Sequence, residues 1–250
     1  MSDHSEKQTK AAKDTIFQEE QDTHDFNFDA KTAGVFDDMV QRSVPFYEEI
    51  QRMTCELARD FAVPDTSLYD IGCATGTTFE ILDSILDPSV AFVGVDNSDD
   101  MLNKAKLKLE KVAARRELTL INSDIHANFR IENSSVVMMI LTLQFIRPLH
   151  REDLLRRINN SLCENGCLLL VEKVTGPYSL LNRLFIEHYY DFKRRSGYSE
   201  MEISQKRESL ENVLIPYHIQ ENRELLFKTG FTQIEEFFRW YNFCGIVAVK

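Results

Sequence analysis

Three observations predict a Rossmann-like α/β fold. Apolar strand-like runs alternate with helical patterns from Ser67 to Val171, the order that builds a parallel sheet covered on both faces. The first run, Ser67-Leu-Tyr-Asp-Ile71, breaks into a glycine turn, Gly72-Cys-Ala-Thr-Gly76, and a helix starts at about Thr77. Two last runs, Phe231–Trp240 and Asn242–Val249, are joined too tightly for anything but an antiparallel hairpin. The predicted order is five βα units, a helical insertion, then the hairpin, which makes a seven-stranded sheet.

Residues 1–25 are polar and charged without a period and read as a disordered tail; residues 26–250 read as one α/β domain. Phe26 to Ala30 is apolar enough to dock, and Thr32–Val40 reads as a short N-terminal helix. Pro45 is placed to open the next helix at its first turn. That helix runs to about Phe61, with Ile50, Met53 and Leu57 on one face. After the first strand, helix Thr77–Leu86 ends at Asp87-Pro88. The second strand, Val90–Val95, is tipped by Asp96, and Asn97-Ser98-Asp99 caps a helix over about 100–114. The third strand, Leu118–Asn122, ends near Asp124-Ile125. The fourth, Ser135–Leu143, is continuous and apolar, as a strand buried on both faces is. Helix Leu149–Leu162 stops at Asn165-Gly166, and the fifth strand, Cys167–Val171, is followed by Glu172-Lys173. Residues of about 178–214 form the insertion, opened by a helical stripe of Leu180, Leu181, Leu184 and Phe185. A last helix, Gln220–Thr229, ends at Gly230.

The glycine turn carries the chemistry. Glycine is required where backbone takes a positive φ or a ligand approaches it closely. A turn of bare N–H groups that opens a helix favours the polar end of a nucleotide-like ligand. A dinucleotide fingerprint needs Gly-x-Gly-x-x-Gly, and here the third position of the turn is Ala74. Acid-x-Gly-x-x-x-Gly, from Asp70 to Gly76, with a second acid, Asp96, at the tip of the next strand, is instead the pattern of class I S-adenosylmethionine (SAM) enzymes. Asp96 is placed to hydrogen-bond a ribose. In such folds the third strand end lies beside the adenine, which places Asp124 to bond the exocyclic amine and Ile125 to pack on the ring; the other reading of Asp124 is a plain turn residue.

Composition excludes several classes. The net charge is −11, whereas nucleic-acid binders carry a basic face. Direct nucleic-acid binding is not expected; Lys193-Arg194-Arg195 is the best basic patch, and a solvated helix face is its plainer reading. No run is long and apolar enough to span a membrane, and no signal-peptide core opens the chain. Five scattered cysteines argue against a disulfide framework. Cys163 and Cys167 lack a second ligand pair, so no metal is expected. The expected location is the cytoplasm.

Scattered blocks carry a more specific resemblance. Asp191-Phe-Lys-Arg, Gly197-Tyr-Ser-Glu, Glu202-Ile-Ser-Gln-Lys-Arg207 and Leu210-Glu-Asn-Val213 lie in the insertion; Val35-Phe-Asp-Asp-Met, Gln41-Arg-Ser-Val-Pro, Thr142-Leu-Gln-Phe145 and Tyr241-Asn-Phe-Cys-Gly lie outside it. From about Asp25 to Lys250 the chain resembles the carboxy-S-adenosyl-L-methionine (carboxy-SAM) synthases of bacterial tRNA wobble-uridine modification. The resemblance implies the class I methyltransferase fold and a reaction that turns SAM and prephenate into carboxy-SAM and phenylpyruvate. A separate enzyme then uses the product on tRNA. It also implies that Tyr47 contacts the ligand, that Gly72, Cys73 and Ala74 cradle it, that Asp96 and Asn97 hold the ribose, and that Asp124 and Ile125 hold the adenine. Arg207 is implied to hold the new carboxylate across a homodimer; its planar fork suits a carboxylate. Ile140 stands where that family has an asparagine, Phe46 where it has a small residue, and the turn reads Cys-Ala-Thr-Gly. A methyltransferase acting on a small-molecule acceptor is the alternative these positions leave open.

Overall fold

The computed structural model describes residues 12–21, 24–125 and 129–250. Its strands are β1 Ser67–Ile71, β2 Ala91–Asp96, β3 Leu118–Asn122, β4 Ser134–Ile140, β5 Leu162–Lys173, β6 Gln233–Trp240 and β7 Phe243–Val249. They form one sheet in the order β3-β2-β1-β4-β5-β7-β6. β1 to β5 run parallel, and β7 lies antiparallel to both β5 and β6. This is the seven-stranded arrangement with a final hairpin that the sequence predicts. The order reverses beside β1, so the carboxyl ends of β1, β2 and β4 open a crevice at one edge of the sheet.

Alternation along the strands divides the core. Tyr69, Ile71, Val137, Met139, Leu168 and Leu170 face one way, onto α6 (Pro148–Ser161) and α9 (Ile219–Lys228). Leu68, Val136, Met138, Cys167 and Leu169 face the other, onto α2 (Tyr47–Phe61), α3 (Thr77–Leu82) and α4 (Asp99–Lys108). A one-turn helix, α5 (Glu110–Ala113), adds Val112 to that second layer. The five cysteines are free. No helix among the described residues is long and apolar enough to cross a membrane.

The remaining helices cover the crevice. α1 (Ala30–Ser43) is capped by the Asp29 carboxylate, which accepts from Thr32 N. The insertion folds as α7 (Ser179–Arg195) and α8 (Glu200–Leu210). Gly197, at φ 86°, makes the corner between them, and a Ser199–Glu202 capping box starts α8. α1 and α7 are tied together: Tyr189 Oη donates to Ser43 O at 2.9 Å, and Arg42 Nε donates to Ser196 O at 2.9 Å.

Several boundaries differ from the sequence reading, each for a local reason. Pro45 lies two residues ahead of α2, because Phe46 takes a left-handed φ of 55° and serves as the N-cap. α3 stops at Leu82, where the Asp83 side chain turns inward to Arg115 and to Arg116 Nε at 2.8 Å. The helix expected over 100–114 breaks at Leu109 into α4 and α5. β4 ends at Ile140, since Leu141 at φ 59° turns the chain into a short 3-10 helix, Leu143–Phe145. β5 starts early, at Leu162, and residues 163–166 bulge out around Asn165 at φ 60° before pairing resumes at Cys167. Residues 12–21, inside the stretch read as a tail, lie against the body. Phe17 is 6% exposed among Phe26, Phe28, Met39 and Leu210. Buried Asp14 accepts a 2.6 Å bond from Tyr198 Oη. Of the rest of the stretch read as a tail, residues 24 and 25 are exposed, and residues 1–11, 22 and 23 lie outside the described residues.

Candidate active site

The crevice begins at the glycine turn. Gly72 N and Cys73 N donate to Val95 O at 2.7 and 3.1 Å, which folds the turn over β2. Gly72 has φ 81°, and a Cβ there would lie 2.3 Å from Thr142 Oγ1. Only glycine fits. Ala74, at φ 45°, aims its N–H at Asp96 Oδ2, 2.9 Å away, while Ser98 N donates to Asp96 Oδ1 at 3.0 Å. Asp96 thus locks the two strand-end loops together and keeps a lone pair on each oxygen for a ligand.

One cavity of ≈ 1030 Å³ occupies the crevice. Gly72, Cys73, Ala74, Asp96 and Asn97 line it where β1 and β2 end. Tyr47, Asp124, Ile125 and Arg207 line it from α2, the β3 end and α8. All nine residues singled out in the sequence therefore meet in one space. Tyr47 Oη accepts from Gln51 Nε2 at 2.9 Å. Arg207 reaches the cavity from its own chain with a 58% exposed side chain, 3.6 Å from Glu208 and 3.4 Å from Ser204 Oγ.

The sequence reading missed three further cationic groups in the wall: Lys173 at the end of β5, Lys193 on α7 and Lys206 on α8. The stretch Lys193-Arg194-Arg195, read more plainly as a solvated helix face than as a basic patch, is neither as a unit. Lys193 turns inward, whereas Arg194 stays on the surface, paired with Asp191 and Glu200. The helical period separates neighbours by 100°, so adjacent cations share no face. A signal was present, since Lys193 and Tyr189 are four apart on α7 and the lysine ammonium sits 5.0 Å from that ring.

The wall has two electrical characters. On the β1–β2 side, burial pushes the Asp70 carboxyl up to about 7, with the charge of Asp96 adding to the effect. Burial also raises Asp96, against the backbone N–H groups of Ser98, Ala74 and Asn97 that favour its charged form. Asp70 Oδ1 has no hydrogen-bond partner among the described residues, the state of an acceptor that a ligand's ammonium completes. On the insertion side, burial brings Lys173 and Lys206 down to about 8. It holds Lys193 well below the usual lysine range, with Lys206 and Lys173 adding repulsion. The residues fit SAM, a cation with a ribose: a glycine cradle, an orphaned carboxylate oxygen, and Asp96 with spare lone pairs. No group of three or more His, Cys, Asp or Glu among the described residues is arranged for a metal.

Comparison with known proteins agrees with this geometry. Residues 69–168 match the methyltransferase domain family model. A carboxy-S-adenosyl-L-methionine synthase of Methylococcus capsulatus (strain Bath) is 53% identical over 96% of this chain and 100% of its own length. The enzyme of the same name from Desulfotalea psychrophila is 44% identical over 95% of this chain and 97% of its own. Among solved structures, a SAM-dependent methyltransferase described as putative, from Methanococcus maripaludis, superposes with a TM-score of 0.59 at 16% identity. It covers 92% of this chain and 97% of that one, and shares the class I fold. The chain belongs to the carboxy-S-adenosyl-L-methionine synthase family and is a SAM-dependent transferase.

Proposed function

We propose that this member of the carboxy-SAM synthase family converts SAM and prephenate into carboxy-SAM and phenylpyruvate, for later use by a separate enzyme on tRNA wobble uridine. The carbon dioxide leaving prephenate becomes the new carboxylate on the former methyl carbon. Atom balance adds one water: the ring hydroxyl leaves as the ring becomes aromatic and takes the proton the methyl group gives up. The chain's own task is to hold both molecules in one closed space, so that carbon dioxide is captured before it escapes. The sulfonium that bears the methyl group would make its protons acidic, and because the departing hydroxide takes the proton, no general base of the protein is required.

The observation that carries this reading is the two-sided cavity, with carboxylates at the cofactor turn and cations toward the insertion. An ordinary methyl transfer to a neutral acceptor has no use for the second side. The family resemblance assigns Gly72, Cys73 and Ala74 to the cradle, Tyr47 to ligand contact, Asp96 and Asn97 to the ribose, Asp124 and Ile125 to the adenine, and Arg207 to the new carboxylate. It also implies a homodimer. The exposed apolar row Leu180, Leu181 and Leu184 on α7 supports a second copy as the partner. Sedimentation checks this: a dimer is expected, and a monomer at micromolar concentration contradicts it.

Ile140 favours one rival. It lines the cavity with an apolar side chain where the family has an amide, which suits a methyltransferase using plain SAM. The intact mass of the nucleotide released on denaturing the purified protein separates the two. A species heavier than SAM by one carbon dioxide is expected, and SAM or S-adenosylhomocysteine alone, with no prephenate-dependent product, supports the rival. Arg207→Ala should weaken carboxy-SAM binding by about 10- to 100-fold, the ~1.5–3 kcal/mol of a charged hydrogen bond, and leave SAM affinity within about twofold. Unchanged carboxy-SAM binding removes Arg207 from its role.

A further inference from the structure

Three ammonium groups share one stretch of the cavity wall, and the cofactor turn uses none of them. Lys193 and Lys206 are 5% and 6% exposed. Lys173 Nζ and Lys193 Nζ lie 4.9 and 5.0 Å from the centre of the same ring, Tyr189. Lys206 Nζ lies 5.6 Å from the Tyr198 ring and is buried with no hydrogen-bond partner among the described residues. The carboxylate nearest to it is Asp14, 3.9 Å away, already taken by Tyr198 Oη.

Such an arrangement is costly for the fold alone. A buried ammonium with no hydrogen bond and its ion-pair partner 3.9 Å away loses hydration worth several kcal/mol, and like charges placed together repel. Neutral side chains would pack there at less cost. The chain carries a net charge of −11 yet leaves most of its carboxylates elsewhere. What completes the wall is therefore an anion that comes and goes.

We propose that Lys173, Lys193 and Lys206 form a second ligand site in this cavity, which seats a small dianion of the 2-oxo dicarboxylate class beside the SAM cradle. This rests on the reading that the carbon dioxide donor is such a dicarboxylate, and it gives that donor a place. Arg207, on the exposed edge of α8, is left for the product's carboxylate. The three lysines are point charges on flexible stems, suited to a ligand whose shape changes as its ring becomes aromatic.

Charge linkage makes the site readable. The groups facing the lysines are Asp14 from the N-terminal segment, Arg42 from α1, Tyr189 from α7, Tyr198 ahead of α8, Glu202 from α8 and the lysines themselves. Burial and repulsion hold the ammonium groups near or below pH 8 in the free protein. A bound dianion returns them to the charged form. Binding therefore takes up protons around pH 7–8.5 and weakens as pH rises further.

The test is calorimetric titration of prephenate into protein saturated with S-adenosylhomocysteine, a complex that cannot react, in two buffers of different ionisation enthalpy. Lys193→Gln and Lys206→Gln are each expected to weaken prephenate tenfold or more, leave SAM affinity within twofold, and reduce proton uptake. Lys206→Arg is expected to restore binding to within about fivefold. If wild type makes carboxy-SAM but both Gln variants bind prephenate as wild type does, the lysine site is wrong and the functional reading stands. A Gln variant that also loses SAM has lost its fold; wild-type proton uptake and Lys206→Arg then decide, and absence of uptake overturns the proposal. If wild type makes no carboxy-SAM, the functional reading has failed. Phenylsuccinate, a stable dicarboxylate, then judges the site alone: lysine-dependent binding upholds it, and no binding overturns it.

Discussion

Asp70 and Gly72 show how single residues set the chemistry. Asp70 ends a buried strand beside a second acid, so burial and that neighbour push its carboxyl up to about 7. A cationic ligand reverses the effect by favouring the carboxylate. SAM affinity should therefore rise by up to about tenfold between pH 6 and 8, and Asp70→Asn should flatten the profile; equilibrium titration across pH measures both, and a flat wild-type profile contradicts the role. Without ligand the sign for stability is opposite. The native state keeps a proton the unfolded chain has lost between about pH 4 and 7, so this group's contribution falls as pH climbs through that window. Gly72→Ala asks for a Cβ where Thr142 already stands. It should cost about 1–3 kcal/mol of stability and most SAM binding, read by thermal melts with and without ligand. These residues were legible in the sequence because one short stretch contains the strand, its acid and the turn. The lysine trio was not, because 173, 193 and 206 come from three elements and only the fold brings them together.

Among elements, α1 decides how the cavity is closed. Asp37 on α1 is the hub: Thr75 Oγ1 donates to its Oδ1 at 2.5 Å, and Lys108 Nζ donates to its Oδ2 at 2.8 Å. Lys108 also reaches Thr75 and Thr77 at 3.0 and 2.8 Å, and Lys104 Nζ donates to Ala33 O at 2.6 Å. α4 and the glycine turn thus hold α1 across the crevice by partly buried polar bonds rather than by a large apolar face. Lys108→Met should weaken SAM by roughly 5- to 30-fold, the ~1–2 kcal/mol of such bonds, mainly through faster dissociation. Stopped-flow exchange with unchanged rates would show that α1 does not gate the site. The strands were legible because buried β-runs carry their own period. The ends of α3 and β4 were not, because the inward Asp83–Arg116 pair and the left-handed Leu141 are tertiary facts with no local signature.

On the scale of the whole molecule, charge is segregated between surface and interior. The chain is acidic overall, at −11, while three lysines are spent inside the cavity. A small dianion can enter that space and meet concentrated positive charge, weakly screened by salt because it is buried. A nucleic acid meets the outside, where cations such as Arg52, Arg156 and Arg194 are each paired with acids on the same surface. Affinity for phosphate backbones comes from basic groups that neutralise phosphates and release the counterions condensed on them, and a cation already paired with a neighbouring acid supplies less of that gain. The expected outcome is prephenate-dependent turnover that is unchanged by added tRNA, and no tRNA complex at micromolar protein in low salt, measured by gel shift and by filter binding. A salt-dependent complex with a steep slope would mean that a second copy or a rearranged insertion exposes the buried lysines. The segregation would then serve RNA capture, and Lys193→Gln combined with Lys206→Gln would abolish the shift.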